Sequence, residues 1–282
     1  MAVYAEIYRR LCADFSDFPN PQQTARELLC FAAGLSPERL PLAGREEASA
    51  EAEEKIFSLA KRCRAGEPLP YLLGEWDFYG LTLTLTRDVL IPRPDTELLA
   101  SRAIRFLGER EGELLDLCSG SGCIGLAIAS RCPRVRVLLG ELSDAALAVS
   151  RENIVRCGLA ERVRAEKLDA LLPPTEKRKF SCIVCNPPYI PHSSIASLDV
   201  SVRDYEPHSA LDGGEDGLLF YRTIPQNWKD SLLSGGAMLF EVGIGQAEAV
   251  AEELRRAGFS SIETERDGNG ILRVVSGINL TR

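Results

Sequence analysis

From residue 113 onward, short apolar runs alternate with helix-like stretches, and this alternation limits the possible folds more than any other feature of the chain. The runs ELLDL (113–117), VRVLL (135–139), RVRAEK (162–167), FSCIVC (180–185), AMLFEV (237–242), SSIETE (260–265) and ILRVVS (271–276) have the length of strands. Between them lie a helix over 123–131 and SDAALAVSRENIVRCG, with Ser143 as N-cap and Gly158 past its end. LLFYRTIPQNWKDSLL, with Pro225 at an early position or a kink, and QAEAVAEELRRAG follow. Strands separated by helices predict an α/β domain with a parallel sheet and helices on both faces. Such sheets bind ligands beyond the carboxyl ends of their strands, where the strand order reverses.

The preceding sequence differs in kind. Ile7, Leu11, Phe15 and then Leu28, Leu29, Phe31, Ala32 and Leu35 fit helical stripes, with Pro19 and Pro21 separating two helices. The stretch from Arg45 to Arg64 is rich in helix formers, acidic at its start and basic at its end, as the helix dipole favours. Residues 75–91, EWDFYGLTLTLTRDVLI, alternate around Gly80 and predict a β-hairpin linker. The expected organisation is a small N-terminal helical domain over 1–74, the linker over 75–91 and the α/β domain over 92–282. The helical domain has the size of a packing unit or of a dock for a macromolecular substrate.

Composition excludes several function classes. The formal charge is −8, so affinity from neutralising many phosphates is not expected, and neither is direct nucleic-acid binding. No run approaches ~18 apolar residues, and MAVYAEIYRR lacks the pattern of a signal peptide, so a cytoplasmic address is expected. The nine cysteines are odd in number and scattered, as in a chain kept reduced. Cys182 and Cys185 have CxxC spacing, but residues three apart on a strand point to opposite faces, so no metal site is expected there. No coiled coil is evident, and a monomer is expected.

After the first α/β strand comes CSGSGCIG, in which Gly120, Gly122 and Gly125 match GxGxxG, and Glu141 follows about twenty residues on, at the end of the second strand. Two cofactors fit this pattern. In both, the glycines let backbone approach the ligand and the acid binds ribose hydroxyls. A dinucleotide brings a pyrophosphate, which a carboxylate at the strand mouth repels. S-adenosyl-L-methionine (AdoMet) brings an ammonium and a sulfonium. A charge pair at ~4 Å and an effective dielectric near 20 is worth about 4 kcal/mol before desolvation. Asp116, placed at that mouth, favours AdoMet.

FSCIVC runs into Asn186-Pro187-Pro188-Tyr189. Two prolines fix φ and remove two donors, giving a stiff, carbonyl-rich corner. The side-chain oxygen of Asn186 and the backbone oxygen of Pro187 can accept both N–H bonds of a planar amino group. That turns its nitrogen lone pair toward a sulfonium methyl. Tyr189 can cover the flat face of the group. No histidine or lysine is nominated as a base.

DLCSGSG and NPPY together resemble the amino-methyltransferases. PLPYLLGEWDFYGL (68–81), LIPRPDTE (90–97), RDYEPHSALDGGEDGLL (203–219) and LFEVGIGQ (239–246) narrow the resemblance to the bacterial release-factor glutamine methyltransferase family, HemK/PrmC, over about residues 67–276. The resemblance implies an N-terminal helical bundle that docks substrate, a hairpin linker and a Rossmann-like seven-stranded AdoMet-dependent domain. It implies methyl transfer to side-chain nitrogen N5 of the glutamine in the Gly-Gly-Gln loop of class I peptide chain release factors, with S-adenosyl-L-homocysteine as product.

Carried onto this chain, the cofactor residues would be Asp116, Cys118, Ser119, Gly120, Ser121, Gly122, Glu141, Leu168 and Asn186. Asn186 and Tyr189 would be catalytic, and Asn186, Pro187, Pro188, Tyr189 and Arg93 would hold the substrate, with Thr96 also near the site. Lys167 stands where the family has an acid nearby. Cys118 replaces a usual glycine and is expected to take ordinary, non-glycine backbone angles. The alternatives are a glutamine methyltransferase of a large-subunit ribosomal protein, a DNA or rRNA amino-methyltransferase, a non-enzymatic AdoMet-binding module and a nicotinamide oxidoreductase.

Overall fold

Helix-favouring sequence fills the first 74 residues, and the computed structural model, which describes residues 2–280, divides between Gly74 and Glu75 into two compact units. The first contains α1 (Tyr4–Asp14), α2 (Pro21–Ala33), α3 (Leu40–Ala43), α4 (Ala50–Arg64) and α5 (Leu69–Leu73). Ile7 and Leu11, one helical turn apart on α1, meet Leu28 and Leu29 of α2 and Ile56 of α4 in a closed apolar core, with Phe15 just past α1. Pro21 opens α2 at its first turn, and Gly34, at φ 63°, closes it in the left-handed region. The Ser49 hydroxyl accepts from Ala52 N, so α4 starts at Ala50 rather than at Arg45.

The second unit opens with the antiparallel pair β1 (Glu75–Phe78) and β2 (Leu81–Thr84). Tyr79 and Gly80, at φ 53° and 78°, make the two-residue turn that the twist of a hairpin requires. The strand pairing stops at Thr84, short of the Ile91 expected from sequence, because Thr84 turns its backbone to a side chain. Thr84 N donates to Asn153 Oδ1 (2.7 Å), and Asn153 Nδ2 donates to the carbonyls of Thr84 (3.1 Å) and Ser121 (3.0 Å).

Seven further strands form one sheet: β3 (Gly112–Leu117), β4 (Val135–Glu141), β5 (Val163–Lys167), β6 (Phe180–Cys185), β7 (Leu232–Glu241), β8 (Ser260–Arg266) and β9 (Leu272–Asn279). The spatial order is β5-β4-β3-β6-β7-β9-β8. Strands β3 to β7 pair in parallel, but β9 lies antiparallel to both β7 and β8. The all-parallel expectation therefore fails at this edge. The cause is the tight turn from Asp267 to Gly270, closed by Gly270 N to Asp267 O (3.0 Å), where a crossover helix would be needed for parallel pairing.

One face of the sheet is covered by α6 (Glu97–Leu107), α7 (Cys123–Arg131) and α8 (Asp144–Arg156). Sequence reasoning missed α6, although Leu99, Ala103 and Leu107 repeat at helical spacing and are buried. The other face carries α10 (Leu219–Trp228), which holds Pro225 in its interior, and α11 (Ala247–Arg256). Between β6 and α10, the long irregular run contains only short turns and α9 (Val200–Arg203). Cys182 and Cys185 fall in the cores on opposite sides of the sheet, as strand alternation demands.

Asn153 is fully buried and ties the hairpin, α8 and the loop at Ser121 together. Asn153→Ala leaves one N–H and two carbonyls without that partner, and is expected to lower stability by about 2–4 kcal/mol in denaturant unfolding. A loss below ~0.5 kcal/mol would show that water replaces the amide.

Candidate active site

The sheet order reverses between β3 and β6, since the chain runs from β3 to β4 on one side and returns to β6 on the other. A cleft of about 410 Å³ opens beyond the carboxyl ends of these strands, within the size range of small-molecule sites. Its walls include Cys118–Ser121 after β3, Glu141 and Leu142 after β4, Leu168 and Asp169 after β5, and Asn186 and Pro188 after β6.

The glycine loop is shaped by close approaches. A Cβ on Gly122 would stand 2.8 Å from Leu139, and one on Gly125 would stand 2.3 Å from the same side chain. Gly120 and Gly122 have φ of 53° and 81°. Cys118 corrects the sequence expectation: it also takes the left-handed region, at φ 58°. The turn out of β3 demands this conformation whatever residue occupies it, at a strain of about 1 kcal/mol for a side chain with a Cβ.

Glu141 locks the loop to the end of β4. Its Oε2 accepts from Gly120 N (2.9 Å), and its Oε1 accepts from Leu142 N (2.8 Å) and Ser143 N (2.9 Å). A carboxylate has about four acceptor positions, so one is left open on this residue of the cleft wall. Leu168 N donates to Glu141 O (3.0 Å), and the Leu168 side chain lies over Gly140, where a Cβ would meet it at 2.9 Å. Asp169, one residue further, also lines the cleft. The sequence analysis noted Lys167 where the family has an acid nearby and did not single out Asp169.

Asp116 departs from its expected place. It shares the face of Leu114, which α7 covers, so it is fully buried beneath the loop and is absent from the cleft wall. Its Oδ2 accepts from Gly125 N (2.8 Å), and its Oδ1 has no partner. Burial, reinforced by the nearby Glu141 charge and opposed by the Gly125 bond, pushes its carboxyl up to about 7. Ser119 and Ser121 line the cleft with buried hydroxyl oxygens that also lack partners.

At the other end, Asn186 and Pro188 face the cleft, while Pro187 is buried. Tyr189, expected from sequence to cover the site, is half-buried and is not among the residues that wall the cleft. It packs against the core on the α10 side, and burial pushes its phenol up to about 12. Gln246 Nε2 donates to Tyr189 O (3.0 Å) and Gly217 O (3.2 Å). A Cβ on Gly213 would stand 2.7 Å from Tyr189 Cα, and one on Gly217 would stand 2.3 Å from Tyr189 O. The segments at 203–219 and 239–246 thus brace the proline corner. Arg93 also lines the cleft, its guanidinium bonded to the buried carboxylate of Glu206 (2.5 Å), a partner that sequence reasoning missed.

Comparison with known proteins identifies the lineage. Residues 95–201 match the methyltransferase small domain, and residues 6–74 match the PrmC N-terminal domain. The release factor glutamine methyltransferase of Thermodesulfovibrio yellowstonii is 35% identical over 89% of this chain and 90% of its own length. That of Geobacter sulfurreducens is 43% identical over 78% of this chain and 75% of its own length.

The chain belongs to the release factor glutamine methyltransferases. Its fold is that of AdoMet-dependent methyltransferases. The hMettl16 catalytic domain, solved in complex with MAT2A 3'UTR hairpin 6, aligns at a TM-score of 0.58 with 16% identity, over 80% of this chain and 82% of that one. A methyltransferase from Pyrococcus furiosus aligns at 0.51 with 17% identity, over 72% and 90%. Both likenesses concern the fold alone.

The electrostatics of this family member's cleft fit a cationic ligand. Among the described residues lining it, Asp88, Glu141 and Asp169 are acidic, and the one basic residue, Arg93, is neutralised by Glu206. Such walls repel a pyrophosphate and attract a sulfonium or an ammonium.

The raised Asp116 carboxyl has a consequence for stability. Between about pH 4 and 7 the folded chain holds a proton at Asp116 that the unfolded chain has released, so stability falls as pH rises through this window and levels off above it. The loss is up to about 4 kcal/mol. Asp116→Asn is expected to remove this part of the pH dependence of unfolding. An unchanged pH profile would show that Asp116 ionises freely in the fold.

Proposed function

We propose that this protein transfers the methyl group of AdoMet to nitrogen N5 of the glutamine in the Gly-Gly-Gln loop of class I peptide chain release factors. One observation carries the reading. The glycine loop with its unpartnered serine hydroxyls and the Asn186–Pro188 corner are two ends of a single cleft. A cofactor held at the first end and a carboxamide held at the second would share one enclosed space.

AdoMet, when bound, supplies an electrophilic methyl on a sulfonium. Ser119, Gly120, Ser121 and Glu141 would hold its amino-acid and ribose parts, with Leu168 and Asp169 beside the adenine. Asp116, beneath the loop, would act through its field rather than by contact. Cys118 and Gly122 would set the loop's path. The side-chain oxygen of Asn186 and the backbone oxygen of Pro187 would each accept an N–H of the substrate carboxamide. A carboxamide nitrogen is planar because its lone pair is delocalised. Two acceptors in fixed positions orient that lone pair and favour loss of planarity as the new bond forms. The proton can leave once the nitrogen has become cationic, which agrees with a corner built from a carboxamide and prolines rather than a strong base. Arg93, held by Glu206, would border the entry of the glutamine. The N-terminal helical unit, over residues 1–74, would dock the body of the release factor, and the hairpin would tie that dock to the methyltransferase domain. Release factors work in the cytoplasm, the proposed site of action. No helix among the described residues is long and apolar enough to cross a membrane.

Purified protein is expected to transfer labelled methyl from AdoMet to a full-length release factor with an intact Gly-Gly-Gln loop. Transfer to a ribosomal protein, ribosomal RNA or DNA with none to the release factor would overturn the assignment. Glu141→Ala removes both the loop clamp and the open acceptor, and AdoMet binding is expected to weaken by ~10-fold or more. Unchanged affinity in calorimetry would remove Glu141 from the cofactor site.

A further inference from the structure

Glu241 has no place in the mechanism so far, yet it is the residue most closely tied to the proposed substrate amide holder. Strands β6 and β7 pair in parallel with Cys185 opposite Phe240. The next residues, Asn186 and Glu241, therefore stand side by side at adjacent strand ends, about 5 Å apart along the sheet. Glu241 is 3% exposed. The side chains of Thr96 and Asn186 are the donors nearest its carboxyl, and its Oε2 has no partner. Its backbone oxygen accepts from Tyr221 Oη (2.7 Å), which fixes the end of β7. The nearby Arg273 is already engaged by Asp267 (3.0 Å) and Asp95 (3.4 Å), and no ion pair reaches Glu241 among the described residues. A buried carboxylate with an idle oxygen and no counter-ion is costly to keep, and packing alone gives no reason for one here.

We infer that Glu241 is a positioning residue that sets which end of the Asn186 carboxamide faces the substrate. This rests on the reading of Asn186 as the holder of the glutamine amide. A carboxamide has one accepting end and one donating end of nearly equal size. An ionised carboxylate only accepts, so Glu241 must receive an Nδ2–H of Asn186, and Oδ1 is turned away from it. Oδ1 is then free to accept an N–H of the substrate amide. With the amide reversed, two NH2 groups would face each other and the substrate nitrogen would lose an acceptor.

The protonation state matters for the same reason. Burial raises the Glu241 carboxyl to about 7, opposed by the Thr96 and Asn186 donors and by Arg273, and assisted by Asp95. Tyr189 of the corner, Tyr221 of α10 and Cys123 of α7 also lie within its field and stay neutral, their own groups raised by burial. A protonated Glu241 can donate to Oδ1 and compete with the substrate. Turnover is therefore expected to fall as pH drops below about 7.

The test is a double-mutant cycle on the full chain, with the full-length release factor as substrate and cofactor affinity measured by calorimetry. Asn186→Ala is expected to lower kcat by ~10²-fold. Glu241→Ala is expected to lower kcat by ~10- to 100-fold while KM for the release factor and Kd for AdoMet change by less than ~3-fold. In the Asn186→Ala background, Glu241→Ala is expected to cost less than a further ~3-fold, because the group it acts through is gone. Glu241→Gln can donate as well as accept, like the protonated acid, and is expected to hold kcat near the low-pH level of the unaltered protein and to lose the fall below pH 7. It also serves as the test if the alanine variant does not fold.

An equal loss from Glu241→Ala in both backgrounds, or an acid limb that persists in Glu241→Gln, would overturn the inference. So would unchanged kcat in Glu241→Ala with Asn186→Ala impaired, which would leave the role of Asn186 standing. Unchanged kcat in Asn186→Ala would instead overturn the reading of Asn186, and this inference with it.

Discussion

Three backbone N–H groups converge on the Glu141 carboxylate, and the shape of the cleft depends on them. The loop after β3 contains residues at φ near 50–80°, which the chain does not adopt without restraint. Glu141, at the end of the neighbouring strand, holds Gly120 on one oxygen and the start of the next helix on the other. Parallel pairing of β3 with β4 places that carboxylate beside the loop, and Gly140 lets Leu168 close the third side. Loop, strand end and the Leu168 wall are thus one connected structure.

The second organising feature is a set of buried carboxyl groups. Asp116, Glu206 and Glu241 are all at least 96% covered, and each has an oxygen without a partner. Burial raises all three carboxyls, Asp116 and Glu241 to about 7. A protein that maximised stability would replace such groups with apolar residues. Here they surround a cleft whose walls are already acidic. Their positions suit a cationic cofactor at one end and the orientation of neutral amides at the other.

Much of this was legible along the chain. The seven strands, the switch-point cleft, the glycine loop, Glu141 and the Asn186 corner follow from local signals: apolar period, proline stiffness and glycine freedom. Failures came where a signal needed a partner. Asp116 was read as facing the ligand because strand position fixes which face a side chain takes, but not what covers that face. The motif marks Tyr189 but not its surroundings, since Gly213, Gly217 and Gly243, far along the chain, make the room in which it sits. The antiparallel β9 was hidden although DGNG marks its turn, because turn length rather than strand sequence sets direction.

The sequence by itself determined which elements form and which candidate residues stand at their ends, since period, capping and φ restriction act over a few neighbouring residues. Tertiary structure alone decided which of them meet. Arg93 finds Glu206 across 113 positions, Thr84 finds Asn153 across 69, and Asn186 finds Glu241 through strand register. Those pairings depend on the order in which strands assemble and on which groups packing leaves without water. No local pattern encodes either, because both are properties of the whole folded chain.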